Sequence, residues 1–178
     1  MILEIAKNAD YKDFKRLFFS AFPPEERPPY FFLKWTLKRG KGELLIAKEN
    51  NQFIGFIYLI CYLDMVYLYF FAVDETLRGS GYGSKILQLV KERIYGKRIF
   101  LAREPLDTHA DNAQQRSKRW EFYKKNGFMD LPIKIIEQNY VFDVMSIGGN
   151  ISSADYNALI DNWCGKALRR CFKMKMQE

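Results

Sequence analysis

Between Leu77 and Leu87 the chain reads "LRGSGYGSKIL", with glycines at the alternate positions 79, 81 and 83. Glycine has the most backbone freedom to lose on folding, so this clustering means that something must lie against the main chain. An apolar run precedes the glycines and a helical pattern follows them. Strand, glycine-rich turn and helix start together make a cradle for phosphate. The helix start presents unpaired amides and the positive end of its dipole, and glycine leaves no Cβ in the path of anionic oxygens. Two other phosphate loops do not fit the spacing. A Walker loop places Lys and Ser/Thr directly after its last glycine, whereas here Ser84 precedes Lys85. The dinucleotide fingerprint needs G-x-G-x-x-G in the first βα unit of a parallel sheet, and this is G-x-G-x-G after a meander that reads as antiparallel.

Other chemistry-bearing residues are sparse. The single histidine, His109, lies in the polar stretch "LDTHADN" and is expected at the surface. Cys61 falls in a strand pattern and reads as core packing. Cys61, Cys164 and Cys171 lack metal-ligand spacing, so no metal site is expected, and an odd number of cysteines fits a reduced, cytoplasmic setting.

The elements that would position the loop follow from periodicity. "MILEIAK" predicts an opening strand. "NADYKDFKRLFFSAF" predicts an amphipathic helix behind an Asn8 or Asp10 cap, stopped by the prolines of "PPEERPPY". "YFFLKWTLKRG" predicts a second helix ended by Gly40. Strands follow around an Asn50-Asn51 turn, and "MVYLYFFAV" completes a meander. Phe53 to Val73 is long enough and apolar enough to span a bilayer. Its scattered tyrosines and β-branched residues fit two strands broken near Leu63-Asp64 instead. After the glycine loop come a helix with Ile86, Val90 and Ile94 on one stripe, a strand in "KRIFLARE", and a helix closed by Gly127. A last strand pair and one C-terminal helix, "SSADYNALIDNWCGKALRRCF", finish the chain. The order predicts a mixed α/β (α+β) fold with helices on both faces of a central sheet of about seven strands.

"FFAVDETLRGSGYGSKIL" resembles the acetyl-CoA loop of the GNAT superfamily of acyltransferases, whose core pattern is Q/R-x-x-G-x-G/A. Here that pattern is Arg78, Gly81 and Gly83. Further on, "RWEFYKKNGF" resembles the family's helix ending F-Y-x-x-x-G-F, and the two motifs with their strands extend the resemblance over roughly residues 1–145. The resemblance implies a single GNAT-like domain whose fourth and fifth strands splay apart, with acetyl-CoA in the gap. It implies that backbone groups of Phe71, Ala72 and Val73 pair with the pantetheine arm. Amides across Arg78, Gly79, Ser80, Gly81, Tyr82, Gly83 and Ser84 would hold the pyrophosphate. Tyr123 takes the tyrosine position that often lies beside the thioester sulfur; a phenol stays protonated at neutral pH and can donate to a departing thiolate. The family often carries Asn seven residues before this tyrosine. Here that residue is Arg116, which puts one cofactor contact in doubt and offers a phosphate partner in its place.

A base for the incoming amine is expected among carboxylates. Glu104 ends the splaying strand. Glu25 and Glu26 lie in the proline-stiffened loop, which in the superfamily borders the acceptor site; there they would form an acidic lip for a cationic amine, with Tyr30 beside them. Tyr30, Phe31, Phe32 and Trp35 could line an acceptor pocket, but their helical spacing favours core packing.

At 178 residues the chain fits one domain. Residues 1–148 form the expected GNAT-like part, and 149–178 a helical extension packed on it. No signal peptide pattern opens the sequence. The net charge of +7 favours anionic partners. Zinc-finger spacing and aromatic-rich RNA signatures are missing, which disfavours nucleic acid, and no membrane partner is expected. The reading is an acetyl-CoA-dependent N-acetyltransferase acting on a small-molecule or peptide amine by direct attack in a ternary complex. Its rivals are a non-catalytic CoA-binding module and an acetyltransferase working on a nucleic-acid-associated acceptor. A homodimer through the C-terminal helix or the strands is left open.

Overall fold

The computed structural model describes residues 1–137 and 140–177. In chain order its elements are β1 (Ile2–Ile5), α1 (Tyr11–Ala21), α2 (Tyr30–Lys38), β2 (Glu43–Glu49), β3 (Gln52–Tyr62), β4 (Met65–Val73) and α3 (Tyr82–Arg93). Then come β5 (Arg98–Arg103), α4 (Ala113–Lys125), β6 (Met129–Glu137), β7 (Tyr140–Ile147), α5 (Ser153–Cys164), α6 (Lys166–Cys171) and β8 (Lys175–Gln177). Hydrogen bonding orders the strands β1-β2-β3-β4-β5-β7-β6-β8. β1 with β2, β2 with β3, β5 with β7, β6 with β7 and β6 with β8 pair antiparallel, and β4 with β5 parallel. The mixed sheet expected from the sequence is present, with one strand more than the pattern gave.

The chain forms two compact units, Met1–Ile60 with Leu68–Tyr95, and Cys61–Tyr67 with Gly96–Glu178. In the first, β1, β2 and β3 pair in sequence, and β2 meets β3 across Asn50 and Asn51, both with positive φ. Asparagine tolerates that conformation, so the turn falls where the sequence placed it. Helix α1 buries Phe14, Leu17 and Phe18, and α2 buries Phe32, Leu33 and Thr36. Edge-on ring contacts tie this core together, with Phe14 4.7 Å from Phe56 and Phe18 5.1 Å from Phe70. The cap expected for α1 is different. Asp10 stands at the N-cap without a side-chain bond to the helix. Its carboxylate accepts from the Lys7 amide at 2.8 Å and pairs with Lys48 at 2.6 Å, which fastens the turn after β1 to β2.

In the second unit, β4 opens against β5 over Met65–Arg98, Val66–Ile99 and Tyr67–Phe100. The Tyr67 and Phe100 rings stack at 4.6 Å. Arg98 clamps the ends of this unit, donating to Asp64 at 2.7 Å and to Asp155 at 2.9 Å. The β6 register against β7 shifts between Leu131 and Lys134, where Pro132 cannot donate to the ladder. The single C-terminal helix expected from the sequence is two, broken at Gly165 with φ of 85°, and the chain ends in β8 paired with β6.

Candidate functional site

The turn after β4 is fixed before the glycines begin. The Asp74 amide donates to the Ile54 carbonyl at 2.9 Å. Its carboxylate accepts from the Thr76 hydroxyl at 2.8 Å, from the Thr76 amide at 3.2 Å and from Arg16 at 2.7 Å. The Arg16 bond, helped by Thr76, holds the Asp74 carboxyl below the usual carboxylate range. Beyond this lock, Arg78 Nε donates to the Val73 carbonyl at 3.2 Å, which folds the first residue of the motif back over the strand end.

Gly79 and Gly81 have φ of 82° and 81°, the left-handed region that side chains other than glycine rarely adopt. A Cβ built on either would meet nothing within 4 Å. The glycines therefore serve conformation, and the space above them is open. Helix α3 begins with Gly81 at its N-cap, and the Lys85 amide makes a bond to the Gly81 carbonyl at 3.2 Å. No acidic side chain lies in its first turn. A helix start with no carboxylate, fronted by two left-handed glycines, suits an anion that accepts from main-chain amides. The Tyr82 hydroxyl donates to Glu49 of β2 at 2.6 Å, and Lys85 lies over the Tyr82 ring at 5.3 Å.

Strand β4 approaches β3 so closely at its end that a Cβ on Gly55 would sit 2.3 Å from the Ala72 carbonyl oxygen and 3.0 Å from the Val73 Cα. Main-chain groups alternate in direction along a strand. Those of Ala72 and Asp74 face β3, so the main-chain groups of Phe71 and Val73 face the opposite edge. Gly55 is the positioning residue that sequence reasoning passed over. The signal was there, a lone glycine inside the apolar run "FIGFIYL".

The carboxylates of the proline loop and Tyr30 also lie in the first unit. Pro24–Glu26 forms a single 3₁₀ turn, with Glu25 exposed and Glu26 partly so. The Tyr30 ring packs 5.8 Å from both Phe14 and Phe19, and burial raises its phenol above the ordinary range.

The second unit gathers Glu104, Arg116 and Tyr123 around α4. Glu104 accepts from Asn112 at 2.9 Å and pairs with Arg116 at 3.0 Å through one oxygen, and pairs with Arg119 at 2.8 Å through the other. Arg116 also donates to Asn112 Oδ1 at 2.6 Å and to the Pro105 carbonyl at 3.1 Å. Beside Glu104, Arg103 is only 6% exposed. It pairs with Asp130 at 2.9 Å and Asp143 at 3.0 Å and donates to the Glu104 carbonyl at 3.0 Å. Its Nε has no partner among the described residues. Sequence reasoning missed Arg103 because its partners lie on distant strands. Tyr123 is buried between Phe122 and Phe128, and burial pushes its phenol up to about 12 against the opposing pull of Arg119.

His109 is exposed, the three cysteines are free, and no cluster able to hold a metal occurs among the described residues. The apolar stretch from Phe53 to Val73 forms β3 and β4, and no described helix is long and apolar enough to cross a membrane.

With this geometry in hand, comparison with known proteins gives the family. No curated protein matches the chain significantly by sequence. Among solved structures, a protein assigned to the GNAT family of acetyltransferases from Bacteroides thetaiotaomicron superposes with a TM-score of 0.73 at 24% identity, covering 89% of this chain and 93% of its own. An aminoglycoside 6'-N-acetyltransferase complexed with coenzyme A gives 0.64 at 16%, covering 83% and 96%. An Arabidopsis thaliana protein in complex with the bisubstrate analogue CoA-Ac-MVNAL gives 0.62 at 20%, covering 82% and 97%. These likenesses establish the fold. The model of the acetyltransferase (GNAT) domain matches residues 40–130, just over half of the chain, including the whole glycine loop and Tyr123; the chain belongs to the GNAT acetyltransferase family.

Proposed function

We propose that the protein is an acetyl-CoA-dependent N-acetyltransferase in which a primary amine attacks the thioester directly in a ternary complex. The observation that carries this reading is the open space above Gly79 and Gly81, at a helix start that holds no acid. Amides from Gly79 to Ser84 hold the diphosphate there, the Arg78 amide being taken by the Glu75 carbonyl at 3.4 Å, and the family match and the CoA-bound neighbours support the same ligand. The main-chain groups of Phe71 and Val73 pair with the pantetheine arm, while those of Ala72 serve the sheet. Bound acetyl-CoA supplies an activated acyl group.

The chain's own residues do the rest. The Val73 amide polarises the carbonyl oxygen as the amine nitrogen bonds to carbon. As the carbon–sulfur bond breaks, Tyr123 Oη gives its proton to the leaving thiolate. A phenol near 12 is fully protonated at neutral pH, and burial keeps it so. Glu25 and Glu26 draw a cationic amine toward the site, and Glu26 with bridging water takes the proton that the amine gives up. Glu104, held by two arginines and an amide, is better suited to fixing α4 than to accepting that proton. The acceptor is a cationic primary amine on a small molecule or a peptide, the two classes that appear among the structural neighbours.

Thermal stabilisation by CoA and thiol release with a panel of amines test this reading. Stabilisation together with release by at least one amine is expected. Absence of any stabilisation overturns the cofactor assignment, and stabilisation without release by any amine leaves a binding module in place of an enzyme.

A further inference from the structure

The outward faces of α1 and α2, both in the first unit, carry rings and cations together. On α2, positions 31, 34, 35 and 38 fall on one stripe. They are Phe31, Lys34, Trp35 and Lys38, all exposed, with Phe31 at 75% and Trp35 at 41%, so the core packing expected of these two rings is found at Phe32 and not at them. On α1 the stripe is Lys12, Lys15, Arg16 and Phe19, with Phe19 at 45%. The two stripes lie side by side. Lys34 sits over the Tyr11 ring at 5.5 Å, Lys15 over Tyr30 at 5.8 Å, and Phe19 lies 5.8 Å from Tyr30. Helix α2 contains no acid; α1 contains only Asp13, and its Arg16 is already paired with Asp74 at 2.7 Å, which leaves Lys12 and Lys15 as the cations of the α1 stripe. Isolated exposed rings are ordinary. Three large ones on a rigid basic surface mark an interaction site.

We propose that this face docks on the surface of an anionic lipid bilayer, lying on it rather than spanning it. The lysines meet lipid phosphates, and Phe31 and Trp35 enter the interfacial layer, where aromatic side chains are favoured. The opposite helix faces are locked into the core through Phe14, Leu17, Phe18, Phe32 and Leu33, so the stripes are presented without rearrangement.

Ring geometry separates a bilayer from the other polyanion, single-stranded nucleic acid. Nucleic acid binds by stacking bases on open ring faces. Here Trp35 carries Arg39 over its ring at 5.0 Å and stacks on Phe32 at 5.6 Å, and Phe19 carries Arg27 at 4.6 Å. A base stacking on Trp35 or Phe19 must displace one of these groups. A lipid layer takes up the ring with its cation in place and offers the cation a phosphate. The expectation of no membrane partner rested on the absence of a span, and a docked helix pair needs none.

The test is sedimentation of the full chain with vesicles of phosphatidylcholine alone and of phosphatidylcholine with phosphatidylglycerol. Binding to the anionic vesicles alone is expected, weakening with salt, with a blue shift in tryptophan emission that Trp35→Phe removes. Phe31→Ser, and separately Lys34→Glu with Lys38→Glu, should each weaken binding at least about tenfold. Both variants should keep their thermal stabilisation by CoA, which reports the fold and the cofactor site independently of this surface. Equal binding to both vesicle types, no binding, or unchanged binding by either variant overturns the proposal. So does tighter binding to a single-stranded oligonucleotide that the same variants abolish.

Discussion

The turn after β4 and the corner after β5 are both equipped to meet charge, and they are built in opposite ways. The first uses main chain: left-handed glycines, a helix start with no acid, and one buried carboxylate that locks the approach. The second uses side chains: Arg103, Arg116 and Arg119 held by Glu104, Asp130 and Asp143. In the turn, the space above Gly79 and Gly81 is open. In the corner, most of the positive charge is matched by carboxylates of the same chain. The reading proposed above therefore places the anion at the glycine turn, which contains a single arginine, Arg78, and not at the corner that is richer in them.

The largest effect that can break this contrast comes from Gly81→Val. A branched side chain at φ of 81° is strained by roughly 1–2 kcal/mol and puts methyl groups where the anion belongs. CoA affinity should fall at least about 100-fold, the size of two lost hydrogen bonds to a charged group, measured by calorimetry. Affinity within threefold of wild type would remove the cradle from the account.

Next in size is Tyr123→Phe. The turnover rate should fall about 100-fold with CoA affinity unchanged, since only proton delivery is lost. The phenol is raised to about 12, so this group imposes no fall in wild-type rate on the alkaline side below about pH 11. The sign for stability follows. Burial favours the neutral phenol, so its contribution is complete below about pH 10 and is lost as pH rises through 12. The denaturant midpoint of wild type should therefore fall relative to that of Tyr123→Phe on that side.

A smaller effect is expected at Gly55, which supports the turn without touching an anion. Gly55→Ala forces a shift of the Ala72 carbonyl and should lower stability by about 2 kcal/mol, seen as a drop in melting temperature with weaker CoA binding. An unchanged melting temperature would mean that β4 can move away freely. The smallest is Glu104→Gln, which keeps the shape of the corner and removes one charge. A roughly threefold loss of rate with an unchanged pH profile is expected of a residue that fixes α4. Loss of the acidic limb of the profile would make Glu104 the base.

The same contrast explains what the sequence made legible. Glycines at 79 and 81, the Asn50-Asn51 turn and the stripes of α1 and α3 are local features, each decided by a few neighbouring residues, and all are where the pattern put them. The Arg103 network joins strands far apart in sequence, and no spacing announces such a set. Gly165 sits inside a helical pattern, and only the observed φ shows that it breaks α5 from α6. Strand β8 is three residues long, and its alternation becomes visible only when Met176 is seen buried against β6. Glu104 reads as a base from its position at a strand end, and its two arginine partners, which no spacing announces, are visible only in the fold.

The central claim is that the glycine turn binds through a diphosphate, and calorimetry with two ligands tests it most directly. Coenzyme A and pantetheine share the arm and the thiol, and only the former carries the diphosphate. The account predicts saturable heat with coenzyme A and binding of pantetheine at least about 100-fold weaker. Equal affinity for the two, or no heat with coenzyme A, would contradict it.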